Sequence, residues 1–382
     1  VAVASANVSL ASVPVPVQAF PMEEDSGLLI LKPEDKRFFT GRVSIRIAYA
    51  ARYGERSGLY KVRVAEGSER AVTATQLESE HAREVFPCVD APSAKATFAV
   101  SLDVPSSPSA PLVALSNMQV KRVADQGTRQ RVEFERTPRM STYLLALAVG
   151  DFQGKSQLTR DGVNVTVWAP REWADKPAVL DTPLAASVGA IEFYSAWTDF
   201  SLPNAKFDLA AIPGRGGAME NWGLLLFDED RFLFDGESEG FYGVLESMNV
   251  ICHELAHQWF GNLVTAVAWP EAAFNEGFAS FFEYKCMESL GQDSATLFQT
   301  NVVPESKEVR VHFPGARQHA LEFDATSAVT HPLIIERGGF DAIAYSKGAA
   351  LLAMFEESLG VDRFQKGVRE CLAENAYGSV SF

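Results

Sequence analysis

One five-residue segment, His253-Glu254-Leu255-Ala256-His257, restricts the possible folds and functions of this chain more than any other part of it. The segment lies in a proline-free stretch with helical spacing. Residues four apart share one face of a helix, so both imidazoles can point at one cation while Glu254 sits beside them. This His-Glu-x-x-His pattern is typical of a zinc site. The sequence therefore predicts a helix that carries two metal ligands.

A third candidate ligand is Glu276, which follows His257 with eighteen residues between them and begins another helical pattern. Two histidines and one carboxylate leave the fourth tetrahedral position for water, as a hydrolytic zinc requires. Glu276 could equally be an ordinary acid in the first turn of a helix, where it offsets the helix dipole. The residues alone leave both interpretations open. Glu283, about two turns further on, is a weak candidate for an acid that orients a zinc histidine.

The glycine-rich stretch of residues 213–223, PGRGGAMENWG, interrupts any regular element. Its backbone N–H and C=O groups could pair with an extended peptide, or the stretch could be a plain loop. The glycines do not fit a phosphate cradle, because neither a Gly-Lys-Ser/Thr sequence nor dinucleotide-binding spacing is present.

Composition excludes several classes of function. With 34 Lys+Arg against 49 Asp+Glu, the chain carries a net charge of −15, so we expect no nucleic-acid partner. No apolar run reaches the roughly 18 residues of a membrane helix, and the first residues lack the basic region of a secretory signal. We therefore expect no membrane segment and a cytoplasmic location. The four cysteines show no paired spacing, and we interpret them mostly as buried thiols: Cys88, Cys252, Cys286 and Cys371.

The chain changes character partway along. From about residue 39 to 151, strand-like segments alternate with turn residues, which predicts an antiparallel β domain. Beyond residue 163 the pattern becomes helical, with stretches predicted at 183–198, 242–263, 278–290 and 341–359. A polar stretch near 160–162 predicts the boundary, which gives domains of residues 1–161 and 162–382.

Taken together, these motifs resemble those of the zinc aminopeptidases that include aminopeptidase N and the puromycin-sensitive aminopeptidase, a branch of the gluzincins. Residues 217–221, GAMEN, are similar to the exopeptidase motif of that family, and HELAHQWFGN with Glu276 is similar to its zinc motif. Segments 75–98 and 340–349 are also similar, and the similarity runs from about residue 42 to 378. The resemblance implies an α+β fold: an N-terminal antiparallel, saddle-like β domain, then a thermolysin-like, mostly α-helical zinc peptidase domain truncated at its C-terminal end.

The resemblance also implies the roles of the residues at the metal. It makes His253, His257 and Glu276 the ligands of one zinc ion and Glu254 the general base. Tyr345 matches the tyrosine that donates a hydrogen bond to the oxyanion of the tetrahedral intermediate. Without the resemblance, Tyr345 would be interpreted as an interfacial core tyrosine on an amphipathic helix.

Recognition of a free α-amine needs further residues, because zinc and a base alone would cut a peptide at any bond. The resemblance assigns the amine to Glu220, with Gln76 and Glu78 of the β domain reaching the same site through carbonyl or carboxylate oxygens. On the residues alone, Gln76 and Glu78 would be solvated side chains at the end of a strand. Further substrate-binding residues are expected in the glycine-rich stretch: Gly217, Ala218, Met219 and Asn221.

Three functions stay open at this point. The first is a zinc-dependent aminopeptidase that hydrolyses the N-terminal bond of peptides with a free N-terminus. The second is a weak or inactive aminopeptidase-like binding or regulatory protein, because the C-terminal part found in relatives is missing, unless a second chain supplies it. The third is an endopeptidase or epoxide hydrolase on the same scaffold, against which the GAMEN sequence argues.

Overall fold

The computed structural model describes residues 2–10, 13–15, 17–21, 29–34, 41–65, 67–106, 111–234, 240–293, 331–334 and 340–381. A β-rich N-terminal part precedes a part in which helices cover a sheet. The α+β fold class predicted from the sequence is therefore confirmed.

Small antiparallel sheets form the N-terminal part, because strand-forming segments there are short and separated by turn residues. The sheet orders are β2-β1-β5, β3-β4, β10-β11-β8 and β6-β7-β12-β9. The strands are β1 Ala2–Leu10, β2 Val13–Val15, β3 Val17–Pro21, β4 Leu29–Pro33, β5 Val43–Ala50, β6 Gly58–Arg63, β7 Ala71–Gln76, β8 Ser101–Pro105, β9 Val113–Ser116, β10 Val120–Asp125, β11 Arg129–Phe134 and β12 Leu147–Gly150, with a short helix α1 at Ala82–Val85.

A five-stranded mixed sheet of order β13-β14-β15-β17-β16 lies at the centre of the second part. Its strands are β13 Phe152–Leu158, β14 Asn164–Pro170, β15 Lys206–Ile212, β16 Ala218–Met219 and β17 Leu224–Asp228. The helices are α2 Asp181–Thr198, α3 Glu229–Phe232, α4 Gly240–Ala256, α5 Ala273–Asp293, α6 Gly348–Leu359 and α7 Val361–Asn375. Strands β18 Thr265–Ala266 and β19 Ser379–Val380 form a separate two-stranded parallel pair.

The central sheet was not expected from the sequence, which predicted a helical second half. Every residue of β15 and β17 is buried. A strand covered on both faces is a continuous apolar run without alternation, and periodicity does not distinguish such a run from a buried helix. Strand β13 also pairs with β14 across the predicted division at 161/162. That division stays a prediction.

Helix α4 ends at Ala256, seven residues before the end of the predicted helix. Beyond it the chain continues in wider turns, in which the N–H groups of Asn262, Leu263 and Val264 donate to carbonyls five residues earlier, at 2.9–3.2 Å. The predicted helix at 341–359 is also divided: a π-helical turn at Ile343–Lys347 precedes α6. Such turns often occur at functional sites.

The interpretation of the cysteines as thiols is wrong for Cys252 and Cys286, which form a disulfide between α4 and α5. Their Cα atoms lie 5.9 Å apart, a separation that suits a disulfide. This pairing was not evident from the sequence, because the two cysteines are 34 positions apart and only helix packing brings them together. Cys88 and Cys371 are free.

An aromatic cluster fixes α2, α4 and α5 relative to one another. The rings of Phe260 and Phe282 stack with centroids 4.5 Å apart, and Tyr194 of α2 packs on both Trp259 and Phe282. The Tyr194 hydroxyl lies 2.7 Å from the carbonyl of Cys252 and 3.3 Å from that of Phe282. Those two carbonyls immediately precede His253 and Glu283, so the cluster fixes the last turn of α4 against the middle of α5.

Helices α5 and α6 cross at two glycines. A Cβ atom added to Gly277 would lie 2.9 Å from the Cα of Gly348, and one added to Gly348 would lie 2.8 Å from the Cα of Gly277. Only residues without a side chain allow so close an approach. The crossing lies directly after Glu276 on one helix and directly after the π-helical turn that carries Tyr345.

Candidate metal centre

The structure brings together the three predicted ligands. Nε2 of His253 lies 3.1 Å from Nε2 of His257, and the Oε2 atom of Glu276 lies 3.3 and 3.4 Å from these two nitrogens. All three side chains are buried. Glu276 does lie in the first turn of α5, but its carboxylate faces the imidazoles rather than solvent. Both interpretations offered by the sequence therefore describe its position.

Hydrogen bonds on the far side of each ring fix which nitrogen faces the site. His253 Nδ1 lies 2.6 Å from a carboxylate oxygen of Glu283, and His257 Nδ1 lies 2.9 Å from the carbonyl of Phe260. Both partners only accept, so each Nδ1 carries a hydrogen and each neutral ring presents a lone pair at Nε2. Glu283 thus occupies the place expected of the orienting acid.

The donor set fits zinc. Two imidazole lone pairs and a carboxylate oxygen converge, and such a group is stable only around a cation or protons. Zinc–nitrogen and zinc–oxygen distances near 2.1 Å give a tetrahedron with edges of about 3.4 Å, close to the separations of 3.1, 3.3 and 3.4 Å between these donors. His253, His257 and Glu276 would therefore hold zinc without large rearrangement.

The charges around the donors favour a cation. Burial opposes protonation of His257, but Glu276 and Glu220 outweigh it and raise the pKa of His257 to about 9. Burial likewise opposes a charge on Glu276, yet His257 and His253 hold the pKa of Glu276 well below its ordinary value. The same attraction would stabilise a bound divalent ion.

Glu254 and Tyr345 lie beside the donors. Glu254 is buried, and mainly through that burial its pKa is raised to about 7, with His253 opposing the shift and Glu220 adding to it. The Tyr345 ring stacks on the His253 ring, with centroids 5.8 Å apart and an interplanar angle of 18°. Burial, followed by nearby carboxylates, raises the pKa of Tyr345, so its phenol keeps its proton. Tyr345 thus lies at the site rather than in a remote core.

Glu220 and Glu78 supply carboxylate oxygens that are unused within the described part of the chain. Oε1 of each is buried and has no hydrogen-bond partner there. Burial raises the pKa of both groups, and for Glu78 the neighbouring Glu220 adds to the effect. A buried carboxylate oxygen without a partner is costly, so two such oxygens near the predicted metal ligands indicate a place for a cationic ligand group.

Gln76 makes a hydrogen bond that the sequence did not indicate. It ends β7, and its Oε1 accepts a hydrogen bond from the guanidinium of Arg215, while its Nε2 lies 3.5 Å from Sδ of Met219. Arg215 also donates to the hydroxyl of Tyr60 at 3.0 Å. A guanidinium only donates, so this contact fixes the orientation of the Gln76 amide. The oxygen that we expected to face a substrate amine is thus shared with Arg215.

The other predicted substrate residues lie on or beside β16, at the edge of the central sheet. Ala218 and Met219 pair with β17, and no other strand in the described part of the chain pairs with them. The Gly217 carbonyl accepts from the N–H of Asp228 at 2.8 Å. Asn221 is fully buried and donates to the carbonyl of Tyr143 at 3.4 Å. The edge of β16 is thus the part of the glycine-rich stretch able to accept an extended chain.

Comparison with known families decides the classification. Residues 183–382 match the model of the peptidase family M1 domain, and residues 2–144 match the peptidase M1 N-terminal domain. The chain belongs to the peptidase M1 family. The resemblance to zinc aminopeptidases seen in the motifs is confirmed.

Individual relatives support the assignment to the M1 family. The chain is 37% identical over 381 residues to endoplasmic reticulum aminopeptidase 1 of Mus musculus. The aligned region covers 96% of this chain and 38% of the relative. It is 38% identical to aminopeptidase N of Canis lupus familiaris (85% and 33% covered) and 35% identical to aminopeptidase N of Lactobacillus helveticus (94% and 41% covered). The chain thus spans about two fifths of the length of these M1 relatives or less.

The sequence predicted no membrane segment and allowed for a second chain that completes the fold. Within the described residues, no helix combines the length and apolar character needed to cross a bilayer. Neither the structure of this M1 chain nor its relatives support a second chain that completes it.

Sequence reasoning missed several residues that build the site. They act through hydrogen bonds to groups far away in the sequence. Arg215 donates to Gln76, and Lys95 donates to the carbonyl of Asn262. The carbonyl of Glu220 accepts from the side chains of Gln258 and Asn262. Gln258 and Asn262 lie within the quoted HELAHQWFGN motif, and their place next to the metal ligands was the only available signal. Nothing in the local pattern marked Arg215 or Lys95.

Proposed function

We propose that this chain is a zinc-dependent aminopeptidase that removes the N-terminal residue of peptides. The observation that carries the proposal is a pair of buried carboxylate oxygens, one on Glu220 and one on Glu78, that have no hydrogen-bond partner among the described residues and lie near three converging metal donors. Metal donors alone would suit many hydrolases. A cation-binding group beside them suits a substrate with a free ammonium.

His253, His257 and Glu276 would hold the ion. Bound zinc would supply a Lewis acid that polarises the scissile carbonyl and lowers the pKa of water toward about 7. Glu283 and the carbonyl of Phe260 hold the two imidazoles in the tautomer that leaves Nε2 available. These contacts keep the donors oriented during turnover.

Glu254 acts as the general base and then as the general acid. Its pKa of about 7 suits a group that takes a proton from the attacking water and returns it to the leaving nitrogen at neutral pH. The Tyr345 phenol, which keeps its proton, donates a hydrogen bond to the oxygen that becomes negative in the transition state. Loss of one such donor typically costs about 10²- to 10³-fold in rate.

Glu220 and Glu78 bind the α-ammonium, while the open edge of β16 aligns the peptide backbone. Together they fix the N-terminus at a set distance from the metal, so that only the first peptide bond reaches it. An acetylated N-terminus carries no charge and leaves both carboxylates unpaired, which disfavours its binding.

Hydrolysis of a leucyl arylamide by the purified full chain tests the activity. We expect turnover that a chelator abolishes and added zinc restores. Glu254→Gln should reduce kcat at least 10³-fold while one zinc per chain remains, whereas Glu288→Gln, an exposed site on α5, should not change it. Absence of turnover with zinc bound and peptide affinity retained would favour a binding or regulatory protein instead.

A pair of substrates tests the exopeptidase assignment. Wild-type protein should prefer the free-amine substrate to its N-acetylated form by at least 10²-fold in kcat/KM. Glu220→Gln should remove most of that preference, mainly through KM for the free amine. Equal cleavage of both substrates by the wild type would indicate an endopeptidase.

A further inference from the structure

Residues 257–263, called here the post-helix segment, connect the metal site to the glycine-rich stretch. The segment begins with the ligand His257, whose ring is held by the carbonyl of Phe260 in the same segment. Its side chains Gln258 and Asn262 are completely buried and face the glycine-rich stretch. One short piece of backbone thus contacts both the metal donors and the candidate amine site.

Gln258 bridges two positions of the glycine-rich stretch. Its Nε2 donates to the backbone carbonyl of Glu220 at 2.7 Å, and its Oε1 accepts from the N–H of Gly223 at 3.2 Å. A carbonyl only accepts and an N–H only donates, so the two contacts fix the orientation of the amide. The turn from Glu220 to Gly223 is therefore tied to the segment at both ends.

Asn262 also donates a hydrogen bond to the backbone carbonyl oxygen of Glu220. Its Nδ2 lies 2.7 Å from the Glu220 carbonyl, so both lone pairs of that oxygen are taken by side-chain amides. The backbone of Asn262 is itself fixed, because its N–H donates to the His257 carbonyl at 2.9 Å and its own carbonyl accepts from Lys95 at 3.0 Å. Two rigid donors thus hold one carbonyl, at the residue whose carboxylate would bind the substrate amine.

We propose that Gln258 and Asn262 are positioning residues that set the distance between the Glu220 carboxylate and the metal, and so determine where the substrate N-terminus sits. This inference rests on the proposed function and deepens it. Neither side chain touches substrate. They act by holding the backbone of Glu220, the proposed amine-binding residue, against the post-helix segment, which carries His257.

The arrangement makes a specific prediction about what is lost when the amides are removed. The His257 ring keeps its own hydrogen bond to Phe260, so the metal donors stay in place. Glu220 loses its fixed backbone position relative to them. Binding of the ammonium should therefore weaken while metal binding persists, a split that general destabilisation would not produce.

Binding of two hydroxamates to the zinc-loaded full chain tests this. Leucine hydroxamate and its N-acetyl derivative share the metal-binding group, but only the first carries an ammonium. The ratio measured is the dissociation constant of the N-acetyl derivative divided by that of leucine hydroxamate. We expect this ratio to fall at least tenfold, about 1.4 kcal/mol, in Gln258→Met and in Asn262→Ala, with one zinc per chain retained. Turnover is not needed for this measurement.

Asn117→Ala is the matched control. Asn117 is also fully buried, and its Nδ2 donates to the carbonyl of Trp222, in the same turn, at 2.9 Å. Its removal should destabilise the fold comparably and leave the ratio unchanged. If Gln258→Met does not fold, Asn262→Ala and Gln258→Glu, which keeps the acceptor for Gly223, carry the test. Failure of all three to fold while Asn117→Ala folds would indicate a structural role and overturn the inference.

The outcomes separate this inference from the proposed function. A wild-type ratio near one would overturn both, because no ammonium would then be bound at the metal. A large wild-type ratio that stays within twofold in the zinc-binding variants would overturn only the positioning role. A similar fall in the Asn117→Ala control would also count against it.

Discussion

Replacement of Lys95 by methionine should change how the stability of this protein depends on pH. Lys95 is buried, and its ammonium donates to the carbonyls of Asn262 and Leu263 at 3.0 and 3.2 Å. Burial, followed by the charge of Arg139, lowers its pKa from 10.5 to about 7. Both carbonyls keep another donor without it, at 3.4 Å from Thr265 and 2.8 Å from the N–H of Tyr377.

Proton linkage determines the sign and size of the change in unfolding free energy with pH. Between pH 7 and 10.5 the unfolded chain holds a proton that folded Lys95 has released, so stability rises with pH in this window. The slope approaches about 1.4 kcal/mol per pH unit and is about half that near pH 7, where folded Lys95 is half protonated. From pH 7 to pH 9 the wild type should therefore gain about 2 kcal/mol that Lys95→Met does not gain. Below pH 7 the difference becomes constant.

Urea unfolding followed by tryptophan fluorescence at pH 7, 8 and 9 measures the effect. Only the difference between variant and wild type matters, because the other groups titrate in both proteins. Lys366→Met, at a side chain that is 76% exposed, is the control and should run parallel to the wild type. Parallel curves for Lys95→Met would show that this lysine stays fully protonated when folded and would refute the reasoning.

Three further changes test the supports of the site. Glu283→Gln should weaken zinc binding about 10- to 100-fold in a chelator competition, whereas Glu288→Gln should not; equal effects would contradict the orienting role. Tyr194→Phe removes the hydroxyl shared by the carbonyls before the ligand and the orienting acid, and should cost about 1 kcal/mol of unfolding free energy; an unchanged thermal midpoint would contradict this. Replacing Cys252 and Cys286 by alanine should cost about 3–4 kcal/mol for this 34-residue separation, and a stability equal to that of the wild type would show that the pair is not oxidised in solution.

The sequence predicted the parts of the site that local geometry determines. Spacing of four places His253 in the last turn of α4 and His257 directly after it on the same side, with the His257 N–H still donating to the His253 carbonyl. Helical periodicity is a short-range property that residues reveal directly. The approach of Glu276 was supported by the family motif rather than by physics, because helix packing decides it. The metal-binding and catalytic roles themselves stay predictions until metal and activity are measured.

The parts that sequence reasoning missed depend on contacts between distant segments. Strand β15 is buried along its whole length and therefore lacks the alternation that marks a half-exposed strand. Cys252 meets Cys286 only because α4 packs on α5. Arg215 takes the oxygen of Gln76 across 139 positions of sequence, and no local pattern encodes that contact. Such features follow from the assembled fold.

The glycine-on-glycine crossing of α5 and α6 restricts how this site can vary. It fixes the separation of the helix that carries Glu276 from the turn that carries Tyr345, because the two backbones are already in contact at Gly277 and Gly348. A single methyl group at either glycine would push the helices apart and move the phenol away from the His253 ring. Every group of the proposed hydrolytic site would then remain, yet the spacing between the three metal donors and the Tyr345 phenol would be lost. A chain could thus keep every recognisable motif and still be inactive.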